Sequence, residues 1–334
     1  MSPRPRPSRR ADARALLGVA AAAIDRDRPL MAHLIVTRRC NLSCGYCTEY
    51  DKVSPPVSRA TLTARIDQLA RLRVVFVTLT GGEPLLHPDL PAVIAHVRAR
   101  GMTPVMNTNG YLLTAAWIQR LGEAGLYAMQ ISVDNVTPNA TTMKSLKTLL
   151  PKLRLLSAHA SFRVRVNTVL GSGPPEEALE VARTALALGF DAKCSLVRNP
   201  DGSLAAQDAR ARAVYDQIRR LGRRAPSYLS EDFQLPLLDD GQLAWKCRAG
   251  ARVFHVCEDG LVHLCAPKWG AGAVPLADYT VDDIRRAFDA PKPCATTCPV
   301  AYAHQASRAD AWRPQAGPPL AALTRDRRYL PVVA

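Results

Sequence analysis

Cys40-Asn41-Leu42-Ser43-Cys44-Gly45-Tyr46-Cys47 stands a few residues beyond His33-Leu34-Ile35-Val36, an apolar run that reads as a strand. Its three cysteines are spaced C-x3-C-x2-C. A structural zinc takes a closed set of four ligands, and C-x2-C zinc motifs come in pairs. Thiolates are also the usual protein ligands of iron–sulfur clusters. Three of them on a four-iron cluster leave one iron open to another ligand. On this stretch alone, a zinc loop borrowing a distant fourth ligand is the alternative.

A second pattern follows the next apolar run, residues 74–80: Thr80-Gly81-Gly82-Glu83-Pro84. A glycine pair at a strand end permits close backbone approach to a ligand. A carboxylate after it can accept hydrogen bonds from an ammonium group. Alone this would be an ordinary turn. Together, Cys-Asn-Leu-x-Cys-x-Tyr-Cys and Gly-Gly-Glu-Pro resemble the radical S-adenosylmethionine (radical SAM) enzymes.

The resemblance implies that Cys40, Cys44 and Cys47 hold a [4Fe-4S] cluster whose fourth iron is chelated by S-adenosylmethionine. One electron then cleaves the sulfonium, and a 5′-deoxyadenosyl radical takes hydrogen from the substrate. It further implies that Tyr46 lies near the adenine and that Gly81, Gly82, Glu83 and Pro84 hold the SAM amino group. By the same likeness Ser132, with Asp134, meets the SAM carboxylate or ribose, and Asn167 meets the ribose. Asn107 is a weaker position at the same strand ends. The bland reading of each polar residue is a turn side chain bonding its own backbone. The implied electron donor is of flavodoxin or ferredoxin type.

Downstream of Asp134 the chain departs from the commoner pattern of that family. It reads Asn135-Val136-Thr137-Pro138-Asn139 and then Met143-Lys144-Ser145-Leu146-Lys147. Lys144 or Lys147 could meet an anionic substrate, against the simpler reading of an exposed helix lysine.

Apolar runs at 33–36, 74–80, 103–107, 128–133, 163–170 and 192–197 alternate with amphipathic segments, the βαβ signature of a parallel sheet. Helices are expected over 59–71, 91–100, 115–124 and 175–188. Six strand–helix units are too few for a closed eight-fold barrel, and the resemblance implies a partial (β/α)6 TIM-like barrel, an α/β fold with a small cysteine-rich α+β region after it. The expected organisation is a basic arm and N-terminal helix (1–28), a radical SAM core (29–225), a linker (226–245), an auxiliary-cluster region (246–310) and a tail (311–334).

The chain has 334 residues and 48% hydrophobic content, enough for a sizeable core. It has nine cysteines. Grouped in metal-like patterns, these point away from a small secreted disulfide scaffold and toward a reducing, cytoplasmic compartment. No apolar run reaches the length of about 18 residues that a membrane span needs. The Pro/Arg-rich start up to Arg14 reads as an arm and the following apolar run as a helix, not as an export signal. The net charge of +15 is spread without a dense basic stretch, so a solvated surface is favoured over a nucleic-acid footprint.

A third pattern lies near the C-terminus. Cys247, Cys257 and Cys265 flank a hairpin signal at Glu258-Asp259-Gly260, and Cys294 and Cys298 follow. The arrangement resembles the SPASM/twitch extensions of radical SAM enzymes. Too few cysteines are present for a full SPASM pair of clusters, so the shorter, single-cluster type fits. The implied ligands are Cys247, Cys265, Cys294 and Cys298, holding a second [4Fe-4S] cluster; a four-cysteine zinc staple is the alternative. Cys257 is left outside the set, and Cys194 reads as a small core residue.

The expected function is an iron–sulfur enzyme of oxidoreductase type that cleaves SAM reductively and functionalises a C–H bond of a small-molecule or peptide substrate. The alternatives are a peptide-modifying maturase whose C-terminal region docks its peptide and, more distantly, a zinc-binding nucleic-acid protein.

Overall fold

The computed structural model describes residues 9–221, 232–268 and 273–318. Six parallel strands, β1 (Met31–Thr37), β2 (Phe76–Gly81), β3 (Thr103–Thr108), β4 (Ala128–Ser132), β5 (Arg163–Leu170) and β6 (Asp191–Leu196), each lie beside their predecessor. After α1 (Arg9–Ile24), the helices α2 (Arg59–Arg71), α3 (Leu90–Ala99), α4 (Ala115–Glu123), α5 (Leu146–His159) and α6 (Pro175–Ala187) make the crossovers. The sixth unit closes with α7 (Ala211–Leu221). This is the expected partial (β/α)6 barrel, a mostly parallel sheet that does not close on itself.

Strand alternation assigns the two faces. Ala32, Leu34 and Val36 of β1 join Leu62, Ile66 and Leu69 of α2 in the main hydrophobic cluster. His33, Ile35 and Thr37 therefore face the opposite, inner side. Ser58 caps α2, accepting from the Thr61 amide at 3.1 Å, and Thr114 caps α4 through the Trp117 amide at 3.1 Å. Cys194 is buried in a second apolar cluster with Leu170 and Tyr215, as the sequence indicates.

Helix α1 lies against the N-terminal ends of the strands. Asp12 accepts from the Tyr127 hydroxyl at 3.0 Å and pairs with Arg163 at 2.8 Å. The helix begins at Arg9, earlier than the arm read up to Arg14; residues 1–8 lie outside the described residues.

The C-terminal region shares the sheet of the barrel. Strand β7 (Val253–Val256) pairs in parallel with the outer edge of β1, and β8 (Leu261–His263) and β9 (Val274–Pro275) extend it antiparallel. The expected hairpin forms, with the Cys257 amide donating to Leu261 O at 3.0 Å and Gly260 at φ +87°. A short helix, α8 (Gln234–Asp240), occupies part of the span read as a linker. Two further helices follow, α9 (Val281–Asp289) and α10 (Ala301–Arg308). Arg252 binds them back to the core. Its guanidinium is bidentate on buried Asp310, at 2.6 and 2.9 Å, and donates to the carbonyls of Asp25 and Arg28 at 2.8 and 2.7 Å. A buried arginine satisfied this fully is a specific tie between chain ends.

In the same region His304 stacks on Phe233 with ring centroids 4.1 Å apart and lies 4.5 Å from Trp245. Burial, helped by the nearby charge of Arg308, lowers its pKa to about 4. Its folded-state pKa is thus depressed below the unfolded value of 6.5. The unfolded chain binds the proton first, so stability is intact above pH 6.5 and falls between there and about pH 4. Thermal melts across that window should show a shallower decline for His304→Phe than for wild type; equal slopes would refute the assignment.

Candidate active site

The loop Cys40–Cys47 leaves the C-terminal end of β1, the end at which parallel α/β barrels gather their ligands. It is anchored on both flanks. The Cys40 amide donates to Asp51 O at 3.0 Å, Gly45 N to Thr141 O at 2.8 Å, and Cys47 N to Cys44 O at 3.0 Å. Lys52 donates to the carbonyls of Leu42 and Cys40 at 2.8 and 3.1 Å. Burial raises the Cys40 and Cys47 thiol pKa values, and the charge of Cys44 adds to both. Asn109 donates to Cys40 Sγ at 3.7 Å, and Thr142 Oγ1 is 3.8 Å from Cys44 Sγ.

Gly81 and Gly82 seat this loop. A Cβ on Gly81, at φ +135°, would overlap Thr37 O, and one on Gly82 would overlap the carbonyl oxygens of Arg38 and Arg39. Gly82 N donates to Thr37 O at 2.9 Å and Glu83 N to Arg39 O at 3.0 Å. The close approach is thus to the chain's own run-up to Cys40. Glu83 is fully buried, and it accepts from Leu85 N, Thr108 Oγ1 and Asn109 N at 3.0, 2.7 and 2.7 Å. Desolvation raises its pKa, against the pull of those donors. Pro84 opens a single 3-10 turn behind it.

Beside the cysteines lies a buried polar knot. Tyr46 donates to Asp134 Oδ2 at 2.6 Å, Thr142 donates to the same oxygen at 2.8 Å, and Lys144 reaches it at 3.2 Å while also donating to the Tyr46 hydroxyl. Lys144 is only 9% exposed and precedes α5, which corrects its reading as an exposed helix lysine. Burial opposes its ammonium, but the Tyr46 hydroxyl and the Asp134 carboxylate outweigh that and raise its pKa. Lys147 is exposed on α5. Asp134 is completely buried, yet its Oδ1 has no hydrogen-bond partner among the described residues. Ser132 and Asn167 are register partners on β4 and β5; Asn167 Oδ1 accepts from Ser195 at 2.8 Å. Asn107 stands on β3 in register with Gln130.

Sequence reasoning did not single out the inner face of β1 and β7. His33 and His255 are register partners, stacked at 4.4 Å, with Tyr302 at 4.6 and 5.3 Å from them. Both imidazoles are buried, and each Nε2 lacks a hydrogen-bond partner among the described residues. Desolvation lowers both pKa values, that of His255 to about 3. Arg198, just beyond β6, bonds Glu49, two residues after Cys47. Only the period-two alternation of a strand with an off-pattern histidine carried a signal for this.

The four C-terminal cysteines also converge. Cys298 is pushed up to about 12 by burial, with the charges of Cys247 and Cys294 adding. Buried Lys292 is lowered to about 8 by desolvation, against the opposing charges of Cys247, Cys294 and Cys265. Zinc bonds of 2.3 Å would draw thiolates to about 3.8 Å apart. Among the described residues, the one set of three or more such ligand atoms within 4.8 Å of one another includes none of these seven cysteines. The donor chemistry and the unpartnered Asp134 oxygen fit a SAM-binding [4Fe-4S] site.

A partial parallel barrel with three thiolates at its C-terminal mouth defines an iron–sulfur enzyme class, and residues 34–198 match the Radical SAM superfamily. That stretch of the chain is a radical SAM domain. It is 33% identical over 155 residues to a PqqA peptide cyclase of Xanthomonas oryzae pv. oryzae, covering 42% of this chain and 40% of that protein. It is 33% identical over 115 residues to an Fe-coproporphyrin III synthase of Methanosarcina barkeri, covering 34% and 29%. The chain thus spans less than half the length of these relatives. The fold is similar to that of Streptococcus suis SuiB bound to S-adenosylmethionine, with TM-score 0.61, 15% identity and coverage of 80% of this chain and 68% of that one.

Removing the Lys144 charge leaves the buried Asp134 carboxyl without its cationic partner. Lys144→Met should cost about 3 kcal/mol in denaturant unfolding, and adding Asp134→Asn should recover most of it. Simple additivity of the two changes would show that the pair is not coupled.

Proposed function

We propose that the chain is a radical SAM enzyme acting on a peptide. The observation that carries the enzyme assignment is the cysteine loop itself, seated at the barrel mouth by Gly81 and Gly82 beside the unpartnered carboxylate oxygen of Asp134. The chemistry supplied by a [4Fe-4S] cluster on Cys40, Cys44 and Cys47, with SAM at its open iron, is reductive sulfonium cleavage and hydrogen-atom abstraction from a C–H bond.

The chain's own residues bind and orient. Gly81 and Gly82 fix the height of the loop, and Glu83 locks Thr108 and Asn109 against it. Lys144 and Asp134 hold Tyr46 as a neutral phenol at the loop's third cysteine. Ser132 and Asn167 line the same strand ends and are assigned to SAM. Cys247, Cys265, Cys294 and Cys298 are assigned to an auxiliary [4Fe-4S] cluster with a closed ligand set. All nine cysteines are free thiols, which suits a reducing cytoplasmic compartment and a flavodoxin- or ferredoxin-type donor.

Support for a peptide comes from similar proteins. One is a PqqA peptide cyclase, and SuiB has also been solved bound to its precursor peptide SuiA, at TM-score 0.59. A small-molecule substrate is the second reading, favoured by the likeness to the Fe-coproporphyrin III synthase.

Anaerobically reconstituted protein given reductant and SAM should release 5′-deoxyadenosine slowly without substrate, and Cys44→Ala should abolish the release. Wild-type turnover in Cys44→Ala would refute the assignment. Iron analysis should find about eight irons per chain, falling to about four when Cys40, Cys44 and Cys47 are all replaced by Ala. About four irons with one zinc ringed by four sulfurs in the wild type would make the C-terminal quartet a structural zinc site.

A further inference from the structure

One cysteine of the C-terminal region has no place in either group. Cys257 follows β7 directly, and β7 runs parallel to β1, so Cys257 leaves the sheet at the same end as the loop carrying Cys40. The β7–β8 hairpin returns His263 to its side, and Asp259 occupies the turn between them. A sulfur, a carboxylate oxygen and an imidazole nitrogen of these three residues all lie within 4.8 Å of one another.

We propose that Cys257, Asp259 and His263 form a mononuclear site for a zinc or ferrous ion at the barrel mouth, with a coordination position left open to a substrate oxygen. The donor set is the first argument. Thiolate, imidazole and carboxylate together match borderline divalent ions rather than magnesium or calcium, which take oxygen. Three protein ligands are the pattern of catalytic zinc sites, whereas structural sites close with four.

The hairpin supplies rigidity. Asp259 Oδ1 accepts from Leu261 N at 2.9 Å, and Gly260 N donates to Cys257 O at 3.0 Å. Arg65 grips the turn from α2, donating to the carbonyls of Cys257 and Glu258 at 3.0 and 2.9 Å. Arg38, two residues before Cys40, pairs with Glu258 at 3.2 Å and so joins the hairpin tip to the flank of the cysteine loop. Burial supplies the rest. Cys257 and His263 are buried while Asp259 is exposed, which gives a dry site with an entry path.

A second observation is His255, opposite His263 across the hairpin. Its buried Nε2 has no hydrogen-bond partner among the described residues. It stands outside the three-residue set and is not counted as a ligand. It does show that this face carries more nitrogen donors than the fold itself uses.

The proposal does not depend on the radical SAM reading, and the test reads the two separately. Full-length protein, reconstituted anaerobically and washed with a mild chelator, is given one equivalent of Zn2+ and desalted. Zinc and iron are then counted, and the zinc environment is read by X-ray absorption. Wild type should keep one zinc per chain beyond its iron, with one sulfur neighbour and the remainder nitrogen or oxygen. Cys257→Ser should lose the sulfur neighbour and most of the zinc, and the surface variant Asp259→Asn should weaken zinc retention roughly tenfold, both at unchanged iron content. No retained zinc, equal retention by Cys257→Ser, or several sulfur neighbours around the zinc would overturn the proposal. A low iron count with zinc retained as described would instead count against the cluster assignments alone.

Discussion

The cysteine loop depends on a contact in which two side chains are missing. Gly81 and Gly82 let the end of β2 press on the carbonyls of Thr37, Arg38 and Arg39, closer than any Cβ allows. Two backbone hydrogen bonds hold that approach, from Gly82 N and Glu83 N. Glu83 extends the constraint sideways, since its buried carboxylate takes up the Thr108 hydroxyl and the Asn109 amide at the end of β3. Asn109 in turn reaches Asn41 at 2.8 Å and Cys40 Sγ at 3.7 Å. The ends of three adjacent strands are thereby made into one rigid edge around the first cysteine. Desolvating a carboxylate is costly, and three donors compensate Glu83 only because the strands are in register.

Strand β1 is the axis of this arrangement. It pairs with β2 on one side and with β7 on the other, so both cysteine-bearing regions take their position from the same seven residues. The polar knot of Tyr46, Asp134, Thr142 and Lys144 is a second constraint, made across the barrel from β4. Its cost is high because Asp134 is fully buried and only one of its oxygens is satisfied. A buried pair of this kind is weak support for stability and better explained as positioning, here of the aromatic ring next to Cys47.

The fold was largely legible because its signals are periodic. Strand–helix alternation marked the six parallel units, and the helices expected over 59–71 and 115–124 form, behind caps that the structure assigns to Ser58 and Thr114. What escaped has specific causes. Helix α5 carries Pro151 in its interior, which breaks the helical pattern. Lys144 sits just ahead of the Ser145 cap, where a lysine reads as surface; its burial depends on Asp134 and Tyr46, which are distant in sequence. The pairing of β7 with β1 joins residues more than two hundred positions apart, so a region that reads as a separate unit shares the barrel sheet. Glu258 and Asp259 read as turn residues, and only the hairpin register brings Asp259 to Cys257 and His263.

The inner face carries the remaining argument about chemistry. His33, His255 and Tyr302 pack against one another where an ordinary barrel would place aliphatic layers. Desolvation keeps both imidazoles neutral, so they offer lone pairs and N–H groups rather than charge. Arg198 brings the cation, held by Glu49 at the exit of the cysteine loop. Tyr302 accepts from the amide of Ala266, next to Cys265, at 3.1 Å. The same few residues therefore stand between the loop of Cys40, Cys44 and Cys47 and the C-terminal cysteines. Buried polar groups with unfilled hydrogen-bonding capacity persist at a cost to the fold. On the inner face of β1 and β7 the stacked pair His33 and His255 carries that cost, each with an Nε2 that has no hydrogen-bond partner among the described residues.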